Sequence, residues 1–109
     1  MTRGEETWAG LPVVRSLSQV KPRSRVVAEG VLRACEEGRL GSERAYLTVL
    51  EEGGGSVTLA FTGRRRVPGL EEGARLRVEG TAQVRAGRLV VLNPSYEILA
   101  PPSGENLPS

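Results

Sequence analysis

From Val57 to Phe61 the large apolar side chains fall at every second position: Val57, Leu59 and Phe61 on one face, Thr58, Ala60 and Thr62 on the other. A period of two marks a half-buried strand, because successive Cβ atoms point to opposite faces. The same period runs over residues 75–85. There Leu76, Val78, Ala82 and Val84 point one way, and Arg75, Arg77, Glu79, Thr81, Gln83 and Arg85 the other. In residues 46–50 the pattern assigns Leu47 and Val49 to the core and Tyr46 and Thr48 to solvent, with Leu50 near the strand's end. Residues 89–92 and 96–99 complete the strand-like segments.

The segment Arg25-Val26-Val27-Ala28-Glu29-Gly30-Val31 lies over Arg75-Leu76-Arg77-Val78-Glu79-Gly80-Thr81 position by position. Both read as long strands whose mid-strand glycine marks a sharp bend of the sheet. Glu51-Glu52-Gly53-Gly54-Gly55 and Ala86-Gly87 are hairpin turns. Ser16 and Gln19 have capping-box spacing, but Pro22 confines any helix there to about one turn. No stretch carries a long helix.

Together these elements predict an all-β domain: a five-stranded Greek-key barrel of OB type, with a short irregular connector (residues 63–73) in place of the usual helix. An SH3-like barrel is the other five-strand solution; the long first strand and the connector between the third and fourth strands favour OB. The expected organisation is a partly flexible arm over 1–16, the barrel over 17–99 and a disordered tail over 100–109. In the arm, residues 11–14 run along the flank of the domain. Trp8 either caps the core or faces a ligand.

Composition narrows the chemistry. In 109 residues there are 14 Arg, a single Lys (Lys21), 13 Glu, and no Asp or His, for a net charge of +2. The absence of His and Asp removes most metal sites and most general-base arrangements, so no metal, cofactor or catalytic group is expected and the chain does not read as an enzyme. Cys35 is alone and reads as a small apolar strand residue. No apolar run is long enough for a membrane span and no signal-peptide region opens the chain, so a cytoplasmic protein is expected.

With so small a net charge, any polyanion must be held by a local cluster. The candidate is Arg64-Arg65-Arg66, directly after Phe61-Thr62-Gly63 at the end of the third strand. Antiparallel pairing brings that end beside the start of the second strand, hence beside Arg44 and the first loop's Arg39. Guanidinium suits phosphate by its bidentate geometry. Glu36, Glu37 and Glu43 stand close enough to neutralise part of the cluster; the competing reading is an ordinary solvated, ion-paired surface. Arg75, Arg77, Glu79 and Arg85 read as such a charge-mixed face. The outward faces of the second and third strands add Thr48, Thr58 and Tyr46, the last either stacking on a base or covering the end of the barrel. Phe61 reads as core, and Tyr96 as a packing and hydrogen-bonding residue.

The stretches Gly63-Arg64-Arg65-Arg66-Val67-Pro68-Gly69-Leu70, Gly73-Ala74-Arg75-Leu76-Arg77-Val78-Glu79-Gly80 and Gly87-Arg88-Leu89-Val90-Val91-Leu92-Asn93-Pro94-Ser95-Tyr96-Glu97 resemble the small OB-fold nucleic-acid-binding proteins found as separate chains in actinobacteria. More distantly, they are similar to the OB wedge domain of the DNA helicase RecG. The resemblance covers residues 17–99 and its most specific piece is Asn-Pro-x-Tyr-Glu. It implies binding of single-stranded or branched nucleic acid, DNA before RNA, without unwinding activity, since the helicase motor domains have no counterpart here. The residues expected to bind are Arg39, Arg44, Tyr46, Thr48, Thr58, Arg64, Arg65 and Arg66, weakly and with low sequence specificity. The alternative is a protein-interaction or homo-oligomerising barrel that uses an open strand edge or the 11–14 arm.

Overall fold

Each alternating segment becomes a strand, and the strands close on themselves. The structure, a computed structural model, describes residues 7–102 apart from the side chain of Trp8. The first six residues of the expected arm, the question of what Trp8 faces, and the expected disordered tail from residue 103 lie outside the described residues. The elements are β1 (Thr7–Trp8), β2 (Leu11–Val14), a single 3-10 turn (Leu17–Gln19), β3 (Arg25–Leu40), β4 (Glu43–Glu52), β5 (Gly55–Thr62), β6 (Arg75–Arg85), β7 (Arg88–Leu92) and β8 (Ser95–Ala100). The all-β class holds; among the described residues there is no α-helix, and no helix long and apolar enough to cross a membrane.

The hydrogen-bonded order is β1-β2-β3-β4-β5-β7-β6-β8, and β3 also pairs with β6. A ring therefore closes through five strands, β3-β4-β5-β7-β6. Four of its seams are antiparallel, while β5 and β7 run parallel over Thr58↔Val90, Leu59↔Val91 and Ala60↔Leu92. The long β3 serves two neighbours within the ring, Arg25 to Val31 pairing with β6 and Val31 to Leu40 with β4, and outside it Arg25 and Val26 also pair with β2, in parallel. The changeover coincides with a register shift between Leu32 and Ala34. At that point Leu32 exchanges backbone hydrogen bonds with Gly73 and Ala74 instead, 2.8 and 2.9 Å.

The two mid-strand glycines stand where strands approach too closely for a side chain. A Cβ on Gly30 would collide with the backbone carbonyl oxygen of Glu51, and one on Gly80 would lie 2.5 Å from Cγ1 of Val91. Glycine is the residue that permits such close approach.

Inside the ring, Val26, Leu32, Leu50, Leu59, Leu76, Val78 and Val91 are fully or almost fully buried. Each contributes roughly 1.5–3 kcal/mol by leaving water. Residues 63–73 form an irregular connector, as the sequence predicts, and it plugs one end of the ring with Val67 and Leu70. Two details differ from expectation. The capping box at Ser16 and Gln19 does not form: the Ser16 side chain caps nothing and its Oγ lies 2.9 Å from that of Ser18, because a one-turn element is closed by its own backbone bond from Gln19 N to Ser16 O. The five-strand count also falls short, because the segments 89–92 and 96–99 are two separate strands with different neighbours. Asn93, with φ of 46°, turns the chain from β7, which pairs with β5 and β6, to β8, which pairs with β6 alone.

Candidate functional site

The end of β5 is pinned on both sides. Gly63 N donates to Arg44 O on β4, 2.8 Å. On the other flank, Thr62 N donates to Asn93 Oδ1 (3.0 Å), Asn93 Nδ2 donates to Thr62 Oγ1 (3.1 Å), and Asn93 N donates to Ala60 O (2.7 Å). The left-handed Gly63 then turns the chain outward, and Arg64, Arg65 and Arg66 follow, all exposed. Arg44 faces Arg39 across the β3–β4 ladder, and Arg39 Nη1 donates to Ser42 O, 2.7 Å. The backbone thus gathers the five predicted arginines at one end of the ring.

Ion pairing divides the arginines, with Arg23 and Arg88 also lacking a carboxylate partner among the described residues. Arg25 pairs with Glu79, Arg33 with Glu51, Arg75 and Arg77 with Glu29, Arg77 also with Glu97, and Arg85 with Glu43. The row on β6 is therefore the mixed-charge face that its sequence suggests. Among the described residues, none of Arg39, Arg44, Arg64, Arg65 and Arg66 has a carboxylate within 4.0 Å. Glu43, placed by its sequence position among the neutralising acids, is engaged by Arg85 at 3.7 Å. Glu36 and Glu37 do approach. With Glu71, Glu72, Cys35 and Tyr46 they line a hollow of about 460 Å³ that Arg65 and Arg66 overhang. The thiol of Cys35 is pushed up by burial, and further by Glu72 and Glu71.

Tyr46 and Thr48 correct the sequence reading. Both point into the ring, because the register sets Tyr46 opposite Phe61 and Thr48 opposite Leu59. Tyr46 is buried and its hydroxyl donates to Leu70 O, 2.7 Å, so it closes the end of the core and cannot offer its ring to a base. Burial, then the neighbouring Cys35, pushes its hydroxyl up to about 12. Leu47 and Val49 take the outer face instead. There Leu40, Ala45, Leu47, Ala60 and Val90 form a second buried cluster with Leu92 against it. Because both faces of β4 are apolar, hydrophobicity alone does not fix its parity. Thr58, half-buried, lies on that outer face four residues before Thr62, away from the arginines.

Two substitutions check this placement. Thr48 is fully buried and its Oγ1 has no hydrogen-bond partner, so Thr48→Val raises unfolding stability by about 1 kcal/mol in urea titration. Tyr46→Phe leaves the Leu70 carbonyl unsatisfied and costs about 1–2 kcal/mol. The folded hydroxyl of Tyr46 ionises at a higher pH than the unfolded one. Its contribution is therefore complete below the ordinary tyrosine range and is lost as pH rises through about 12. Alkaline unfolding of Tyr46→Phe lacks that component.

Tyr96, read from the sequence as a packing and hydrogen-bonding residue, does pack, but its hydroxyl makes no hydrogen bond among the described residues. The residue is 41% exposed, whereas Phe61 is buried, and it meets Phe61 edge-to-face at 5.8 Å and 86°. Alternation puts Tyr96 on the core side of β8, opposite Val78. The pattern carries no sign that β8 lies outside the closed ring, where the core side is only partly covered.

No family model matches the chain, and no curated protein matches it with significant similarity.

Proposed function

We propose that this domain is an OB-type barrel that binds single-stranded nucleic acid, DNA in preference to RNA, through the arginines at the end of β5. The observation that carries this reading is the clustering of five exposed guanidiniums without a carboxylate partner at one end of the ring. Arg25, Arg33, Arg75, Arg77 and Arg85 are ion-paired, and Arg23 and Arg88, unpaired among the described residues, lie outside the Arg64-Arg65-Arg66 run. A cation held at the surface with no internal partner is available to phosphate without first breaking an ion pair. The OB-type reading is supported by the ring order, in which the third and fifth ring strands run parallel and the connector enters between the third and fourth. Contacts from exposed side chains to phosphates give modest affinity and little sequence preference. The carboxylates of the adjacent hollow weaken it further.

The test is fluorescence anisotropy of a labelled single strand of about 30 nucleotides at about 50 and 200 mM salt, with duplex as competitor. Micromolar binding is expected, with a log–log salt slope of about −2 to −4 for three to five phosphate contacts. Absence of binding at the lower salt overturns the proposal.

A second reading rests on β8, which ends the sheet and exposes Tyr96 and Ile98. An open strand edge with apolar side chains suits pairing with another chain. Salt-insensitive self-association in sedimentation, without strand binding, is the result that favours it.

A further inference from the structure

We infer that Tyr96 is the base-stacking platform of the strand-binding site, an inference that rests on the phosphate-binding reading above. Tyr96 and the arginine run leave the same short piece of framework. Phe61, which the Tyr96 ring touches, precedes Arg64 by three residues, and Asn93, three residues before Tyr96, is tied to Thr62 by two side-chain hydrogen bonds. The Tyr96 ring and the backbone from which the arginine run departs are therefore both anchored at the end of β5.

The ring is built more like a surface for contact than a core residue. Tyr46 and Phe61 are 7% and 5% exposed, so among the described side chains Tyr96 is the aromatic that offers ring area to solvent. Its hydroxyl has no hydrogen-bond partner among the described residues, unlike that of Tyr46. The edge-to-face contact with Phe61 restrains the ring without covering all of it. A pre-restrained aromatic beside unpaired arginines supplies both elements of single-strand recognition, stacking on the base and charge on the backbone. Stacking on one base is worth roughly tenfold or more in affinity.

The test compares oligo(dT) of about ten nucleotides with an abasic deoxyribose-phosphate strand of equal length and charge, at about 50 mM salt. Wild-type protein is expected to bind oligo(dT) about tenfold more tightly than the abasic strand. Tyr96→Leu, which keeps bulk against Phe61, is expected to abolish that preference while leaving affinity for the abasic strand unchanged; retained abasic binding also shows that the variant is folded. Tyr96→Trp is expected to keep the preference. Equal wild-type binding of both strands, or a preference that survives in Tyr96→Leu, overturns the inference. If both strands bind equally and Arg64→Ala/Arg65→Ala/Arg66→Ala abolishes binding, the phosphate reading stands and the stacking role falls. If neither strand binds, both fall together.

Discussion

Replacing Arg64, Arg65 and Arg66 together with alanine is expected to lower affinity for a single strand about 100-fold at about 50 mM salt, each exposed phosphate contact being worth about 1 kcal/mol. The salt slope should flatten by about 2, since each lost contact on a single strand removes about 0.7. The three side chains are exposed, and no hydrogen bond or ion pair of the described structure depends on them. Stability should therefore stay within about 0.5 kcal/mol of wild type. A triple variant that binds as tightly as wild type, with an unchanged slope, would place the phosphates elsewhere. The control is Arg75→Ala/Arg77→Ala, which removes charge from the ion-paired face and is expected to change affinity less than threefold, roughly the effect of altered net charge alone.

Gly30→Ala is expected to be strongly destabilising, costing about 3 kcal/mol or more in urea unfolding. The added carbon meets the carbonyl oxygen of Glu51 and lies 3.0 Å from its carbonyl carbon and 3.1 Å from Cγ of Leu50. Two of those three atoms are backbone in the paired neighbour β4, so relief requires the strands to part. Gly80→Ala meets chiefly a Val91 methyl, a side chain that can turn, and should cost about 1–2 kcal/mol. With total stability of about 5–15 kcal/mol for a domain of this kind, the first variant loses a large fraction and the second does not. Equal costs for the two would refute the distinction between backbone and side-chain crowding.

Much of the fold was legible because most strands carry one apolar face. Val57, Leu59 and Phe61 face inward as their period demands, and so do Leu76, Val78 and Ala82. The match between residues 25–31 and 75–81 has a structural basis: the two segments pair with each other antiparallel, with Ala28 opposite Val78. The reading failed on β4, where Ala45, Tyr46, Leu47 and Thr48 are all buried in succession, so that no polar face exists to fix the parity. The arginine cluster was legible from pairing logic, since an antiparallel hairpin must bring residue 63 beside residue 44. Which arginines would be paired was not legible, because ion pairs such as Arg77 with Glu29 join residues far apart in the chain. The exposure of Tyr96 was hidden for a similar reason: its cause is the edge position of β8, a property of the whole sheet.

The parallel seam between β5 and β7 has a kinetic consequence. It is only three residue pairs long, and its partners are separated by the connector and all of β6. The β3–β4, β4–β5 and β6–β7 ladders can each form as a local hairpin, but this seam gains nothing until the two halves of the chain have met. A closure of that kind carries its loop entropy in advance of its contacts, which places the domain among slower-folding β topologies.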